Sequence, residues 1–263
     1  TLLVSSRAAL YPYNLNFERT AEQWYYKAND DWYLVKSSDA IVNDGKIWIA
    51  DRANGLGWLE NSEGKGDIIR INSPTNNGVF HISSSKSKVI AVRGGYNSSY
   101  TPMWTAPFIY EYENYRWTTR SSNEISQLSG VTDFVNVTID PNDETHYFVS
   151  SWINGLFEFR ENQLYKLYNA ENSTLTKIDG MDWIRIGSTV FDSNGNLWVT
   201  NSQASKSLHV MAPDGKWTGF SFPDMVKNFR SIIVTQSGIK WIAIGQSGGL
   251  FVFDDNGTPE NTS

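Results

Sequence analysis

The 263-residue chain contains no cysteine, so disulfide staples, thiolate nucleophiles and cysteine-held metals are excluded at the outset. Histidine is scarce. His81, His146 and His209 are the three in the chain; they share no motif, and each reads as a surface or packing residue. No H-E-x-x-H pair and no phosphate-binding P-loop is present. No apolar run approaches the roughly 18 residues of a membrane span, so no membrane insertion is expected of this chain. With 22 Lys+Arg against 28 Asp+Glu the formal net charge is −6, and no basic run occurs. A nucleic-acid partner needs a cationic stripe against its phosphates and is therefore not expected. Long helix-period stretches are missing, and only a short segment such as 123–130 could take a helical turn. The first residues, TLLVSS, already read as strand and lack the charged and apolar regions of an export signal.

Aromatic residues, by contrast, are plentiful: 14 % of the chain, with 11 Trp, 13 Tyr and 13 Phe. An apolar, Trp-rich strand recurs six times, as LLVSS around Val4, IWIAD around Ile49, VIAVRG around Ala91, YFVSSW around Val149, LWVTN around Val199 and KWIAIG around Ile242. The separations are 45, 42, 58, 50 and 43 residues. Repeats of ~40–50 residues with several short strands apiece indicate four-stranded sheets set around a ring. Broad, flat side chains fill the wedge between such sheets. The fold class is all-β: a β-propeller with about five to six blades visible, forming a single domain over 1–263.

The clearest unit reads SIIVTQ (231–236), IKWIAIG (239–245) and GLFVFDD (249–255). Asp44-Gly45, Asn194-Gly195, Asp214-Gly215 and Ser237-Gly238 sit at its turns and those of its copies, where hairpins call for φ > 0. Naming the strands a to d from the channel outward, the first copy supplies b, c and d, the last supplies a, b and c, and four complete units lie between. That gives about 22 strands. The incomplete ends lead us to expect a segment of a larger propeller protein.

The stretches DSNGNLWVTNSQASKSLHVMAPDGKWTGFSFP (192–223) and QSGIKWIAIGQSGGLFVFDDNGTPENTS (236–263) resemble the two-component regulator propeller repeats of Bacteroidota. Within that group they are most similar to the PorZ-like propellers of the type IX secretion system, sharing the N-L-W-V-T-N strand, the P-D-G-K-W turn and the terminal F-D-D-N-G-T. The match covers the last third of the chain and is only thematic before Asn136. The resemblance implies a non-enzymatic module of a cell-surface complex, exported to the surface or periplasm of a Gram-negative bacterium. Its implied partners are cell-surface proteins or an anionic polysaccharide such as lipopolysaccharide. The same repeats also form the periplasmic ligand-sensing half of hybrid two-component regulators that respond to polysaccharide fragments, which is the alternative reading. A Ca-dependent lactonase-like propeller is a second alternative.

No catalytic set emerges from the residues. Asp192, Asn194 and Asn196, and then Asp254, Asp255 and Asn256, place oxygens at the alternate or adjacent positions that Ca²⁺ accepts; the same residues equally form Asx turns, the favoured reading. No other cofactor is expected. For binding, the b–c loops carry Arg7, Arg52, Arg93, Trp152, Asn201, Gln203 and Gln246. An insertion over 94–107 adds Tyr96, Tyr100, Met103 and Trp104. Arginine grips carboxylate or phosphate with a two-bond fork, and exposed rings stack on sugars. The expectation is a site at the channel mouth with Arg93 and the insertion as one wall, and Arg7 and Arg52 on neighbouring blades.

Overall fold

Among the described residues, runs of four to nine positions rich in β-branched and aromatic side chains, closed by Gly, Asn, Asp or Ser, fold into 23 short strands and one 3-10 turn, Ser126–Leu128. The computed structural model describes residues 2–6, 8–28, 31–60, 65–69, 72–223, 227–246 and 248–260. The chain divides into two compact units, Thr1–Ser73 and Pro74–Ser263.

The first unit holds two hairpins, β1 (Leu2–Ser5) with β2 (Leu10–Tyr13) and β3 (Tyr25–Ala28) with β4 (Asp31–Leu34). They are followed by a four-stranded antiparallel meander of β5 (Ser37–Asn43), β6 (Lys46–Asp51), β7 (Gly55–Leu59) and β8 (Gly66–Ile69). Leu10, Tyr26, Val35, Ile49, Leu59 and Ile68 form its buried core. The β3–β4 hairpin is the departure from the expected strand tally, since the apolar stretch Trp32–Leu34 makes a strand of its own.

The second unit stacks three complete meanders and a three-stranded one. These are β9 (His81–Ser84) to β12 (Arg116–Arg120) through β10 (Val89–Arg93) and β11 (Phe108–Glu113), and β13 (Phe134–Asp140) to β16 (Gln163–Tyr168) through β14 (Asp143–Ser151) and β15 (Gly155–Arg160). The third runs from β17 (Ile186–Phe191) to β20 (Trp217–Phe220) through β18 (Leu197–Asn201) and β19 (Leu208–Met211), and the last is β21 (Phe229–Val234), β22 (Lys240–Ile244) and β23 (Gly249–Phe253). The leading strands β9, β13, β17 and β21 neighbour one another in that order, and each sheet extends outward from this row. That is the blade arrangement of a β-propeller, as the repeat predicts.

Trp48, Trp198 and Trp241 hold the same register position, facing Ile41 and Trp58, Val190 and Val210, and Ile233 and Val252 respectively. Asp44-Gly45 forms a primed turn with both residues at positive φ, 52° and 74°. Asn114-Tyr115 and Glu161-Asn162 make the same double-positive turn without glycine, which no glycine signal could reveal.

Each leading strand β5, β13, β17 and β21 slips register near its start, opposite the end of its neighbour. Such bulges bend the strand and re-aim side chains at the sheet end; in β21 the slipped residues include Arg230. At the same end, backbones touch without intervening side chains. A β-carbon on Gly94 would lie 2.2 Å from the Phe134 nitrogen, and one on Gly187 would lie 2.6 Å from the Arg230 carbonyl oxygen.

Between the sheets the interior is apolar, with Phe134, Val149, Phe157 and Ile109 in one cluster and Trp198, Val210, Phe229 and Ile242 in another. One buried charge cluster there is a fully paired network. Lys88, 1 % exposed, places Nζ 3.2 Å from Glu111 Oε2 and donates to Asn162 Oδ1 at 2.7 Å. Glu111 Oε1 also accepts from Arg120 Nε at 2.7 Å and from the Tyr147 hydroxyl at 2.8 Å.

Candidate functional site

The insertion 94–107 leaves β10 and returns to β11, and it is pinned at its far end and at its tip. Buried Asp133 accepts the backbone N–H of Trp104 at 2.8 Å and of Thr105 at 3.0 Å. At the tip, Asn97 Oδ1 accepts the N–H groups of Ser99 and Thr101, an Asx turn that fixes the loop locally. Between these points Tyr96 stacks on Trp152, ring centroids 4.1 Å apart, and Tyr100 lies 5.5 Å from Tyr96. The buried Trp152 indole N–H donates to the Tyr100 carbonyl at 2.9 Å.

Two arginines complete a ladder of rings and guanidinium groups. Arg185, immediately before β17, stands over Trp152 at 4.7 Å and Trp183 at 5.7 Å; Trp183 in turn meets Trp104 edge-on at 5.8 Å. Arg230, aimed by the β21 bulge, stands over Tyr96 at 4.8 Å and Tyr100 at 4.9 Å. Arg185 donates through NH1 to Gln203 Oε1, and Arg230 through NH2 to the Tyr96 hydroxyl. Among the described residues neither guanidinium has a carboxylate within salt-bridge distance, and the buried Nε of each lacks any hydrogen-bond partner.

That is an unusual place for charge. Arg185 is 5 % exposed, and burial alone lowers its pKa to about 10, which still leaves it cationic at neutral pH. Burial also opposes the charge on Arg230, but its bonds to Tyr96 and Tyr100 raise its pKa overall. A desolvated cation over an aromatic face recovers about 2 kcal/mol, less than the several kcal/mol that an unpaired buried charge costs. An oxyanion would supply the missing partner.

The sequence-derived residues divide accordingly. Tyr96, Tyr100, Trp104, Trp152, Gln203 and Gln246 come together here, Gln246 accepting from Asn228 Nδ2 at 3.1 Å through its side chain. Arg93 turns instead to Phe108, 5.3 Å from the ring. Asn201 is fully buried, accepting the Thr176 N–H at 2.8 Å and donating to the Arg185 carbonyl at 3.2 Å, so its role is to shape the loops. Arg52 belongs to the first unit, where its Nε donates to Ser38 Oγ at 2.9 Å, and Arg7 lies outside the described residues. Arg185 and Arg230 were not among the expected residues. Their signal is a lone cation in an apolar setting just before or within an a-strand, Ile184-Arg185-Ile186 and Phe229-Arg230-Ser231.

The two candidate metal turns are occupied by their own donors. Asp192 accepts from the backbone N–H of Asn194 and Asn196, from Asn196 Nδ2 and from Trp198 Nε1, each at 2.9 Å. Asp254 accepts the Asn256 N–H at 2.8 Å, and Asp255 pairs with buried Lys240 at 2.5 Å. Gly245–Gly249 has G-x-S-x-G spacing, but it joins antiparallel β22 to β23 rather than a strand to a helix, which is the setting of a nucleophile elbow; Ser247 is outside the described residues.

A second polar cluster lies at a cleft of about 360 Å³ lined by His146, Glu158, Arg160, Tyr168 and Phe191 among others. His146 bridges two carboxylates, Nδ1 2.9 Å from Asp140 and Nε2 2.9 Å from Glu158. Glu158 also accepts from Arg160 and Tyr168, each at 2.7 Å. Burial pulls the His146 pKa down, but the bonds to Glu158 and Asp140 outweigh it and the net shift is upward. Burial likewise pushes Glu158 up, and the donors around it bring it below its ordinary value. The His146 contribution to stability is therefore complete below about pH 6.5 and lost as pH rises through the raised value; the Glu158 contribution is present above about 4.5 and lost as pH falls. Buried His209, with its pKa lowered by burial to about 3, acts in the opposite sense to His146. The clean readout is thus a difference: the stability gap between the native chain and His146→Gln is expected to be widest near pH 5.5 and to shrink toward pH 8.5 in thermal melts. A gap independent of pH would contradict this.

No protein-family model matches the chain, and no curated protein sequence matches it. Among solved structures, it is similar to PorZ, described as a surface component of the type-IX secretion system of Porphyromonas gingivalis, with 22 % identity and a TM-score of 0.65 over 99 % of this chain and 35 % of that one. The extracellular domain of a putative hybrid two-component system from B. thetaiotaomicron matches at 15 % identity and TM-score 0.45, over 97 % and 32 %. A putative gluconolactonase matches at 9 % identity and TM-score 0.46, over 94 % and 84 %. No helix among the described residues is long and apolar enough to cross a membrane. The chain spans about a third of the PorZ length, and with PorZ it shares its fold: an all-β propeller module of the kind that the repeats at 192–223 and 236–263 resemble.

Proposed function

We propose that this chain is a non-enzymatic binding module of an exported protein, placed at the cell surface or in the periplasm of a Gram-negative bacterium, and that its ladder of rings and guanidinium groups takes an anionic polysaccharide. The observation that carries this reading is the pair Arg185 and Arg230, two cations with no carboxylate within salt-bridge distance among the described residues, set against Trp152, Tyr96 and Tyr100. Guanidinium forks suit carboxylate or phosphate, and the rings offer faces to sugars. The likeness to a surface component of a secretion system supports the placement, and cell-surface proteins of such a system are the partners it would meet.

Titration with an anionic lipopolysaccharide tests the reading. The Arg185→Gln, Arg230→Gln double variant is expected to bind at least about ten-fold more weakly than the native chain, since charge-assisted hydrogen bonds contribute about 1.5–3 kcal/mol each. Arg93→Ala is expected to have little effect, because that side chain faces Phe108. Affinity should fall with salt and persist in chelator, since the Asp192 and Asp255 carboxylates are already engaged. Equal affinity for the native chain and the double variant would defeat this assignment.

A further inference from the structure

The anion-binding chemistry of Arg185 and Arg230 is preformed, but the space for an anion is not. Tyr100, Arg185, Gln203, Asn228, Arg230 and Gly245 enclose a notch of about 10 Å³, room for a single water at most. What fills the place of a ligand oxygen is the Tyr100 hydroxyl. It accepts from Arg230 NH1 at 3.1 Å and from the backbone N–H of Gln246 at 3.2 Å. The Tyr96 hydroxyl accepts from the other arm of the Arg230 fork. Two neutral phenol oxygens thus receive bonds that a charged oxyanion would receive more strongly.

Tyr100 is also held under strain. Its φ is 62°, a left-handed backbone that a residue with a bulky side chain seldom adopts. Its ring fits because position 245 is glycine: a β-carbon there would stand 3.1 Å from both Tyr100 Cζ and Arg230 Cδ. The loop around it stays pinned by Asp133 at one end and by the Asn97 turn at the tip, so turning this one side chain opens the notch while the loop anchors remain.

We infer that Tyr100 is a displaceable plug, and that a carboxylate or phosphate group on a saccharide enters between Arg185 and Arg230 by turning the Tyr100 ring out. This rests on the binding reading above and adds a gate to it. The experiment is calorimetric titration of the chain with trigalacturonate and with mannose 6-phosphate, which separate carboxylate from phosphate, with mannotriose as the neutral control. Tyr100→Ala is expected to bind the preferred oxyanion about ten-fold more tightly than the native chain. Tyr100→Phe, which keeps the ring but gives up both accepted bonds, is expected to gain about three-fold. Adding Arg185→Gln to Tyr100→Ala should abolish the gain. If Tyr100→Ala does not fold, the comparison of Tyr100→Phe with the native chain decides alone. Arginine-dependent binding that is unchanged or weakened by the tyrosine substitutions overturns the plug and leaves the binding reading standing. No oxyanion binding by the native chain or either tyrosine variant overturns both.

Discussion

Glu111→Gln is expected to destabilise the second unit by about 3–5 kcal/mol, the usual cost of stripping one partner from a buried ion pair. The reason is Lys88. Its side chain is 1 % exposed, and with an amide in place of the carboxylate its charge faces only neutral groups among the described residues: the new amide, the Asn162 oxygen and the face of Tyr147, 5.4 Å away. Arg120 suffers less because it reaches solvent. For a unit of this size, such a loss lowers the melting temperature by about 10 °C. The double change Lys88→Met, Glu111→Leu should recover most of it, since apolar replacements of a whole buried pair are often neutral or better. A single variant that melts within about 2 °C of the native chain would show that water reaches Lys88 and that the network carries little weight.

Trp198→Ala carries the other large effect, about 3–5 kcal/mol for emptying a fully buried tryptophan site. The indole packs against Phe220 and Phe253, receives Lys240 Nζ over its face at 4.0 Å, and donates to Asp192 at 2.9 Å. Removing it opens a cavity between two sheets and takes away both polar contacts. Trp241 occupies the same register position one sheet later but is 40 % exposed, so Trp241→Ala is expected to cost less than about 1 kcal/mol. Denaturant unfolding of the two variants side by side makes the comparison. Equal losses would mean that the repeat position, rather than the covering sheet, sets the contribution.

The sheets were legible because the signals for them are local. Trp48, Trp198 and Trp241 each precede an aligned apolar residue in a run bounded by turn formers, and the 3-10 turn at Ser126–Leu128 falls inside the one stretch expected to bend that way. Primed turns at Asn114-Tyr115 and Glu161-Asn162 were hidden because their positive φ angles are imposed by strand pairing rather than by glycine. The ladder was half legible. Its rings stand in an insertion that breaks the repeat and so draws notice, whereas Arg185 and Arg230 sit where the repeat continues, each a single cation beside strand residues. The direction of Arg93 was not legible, because a residue at a strand end can point to either side; the structure places its guanidinium over Phe108. The carboxylate pair around His146 was not legible because Asp140 and Glu158 reach it from adjacent strands, 6 and 12 residues away in sequence.

The close backbone contacts at Gly94 and Gly187 have a consequence for how this molecule can discriminate among ligands. Where one main chain rests directly on the next, the distance between sheets is set by bond lengths and atomic radii and cannot stretch to suit a guest. A frame of fixed gauge next to the ladder leaves selection to whatever can swivel within it. Choosiness would then appear as a slow arrival rather than a fast departure: a guest waits for a ring to swing aside, and a poor guest is turned away before it is ever held.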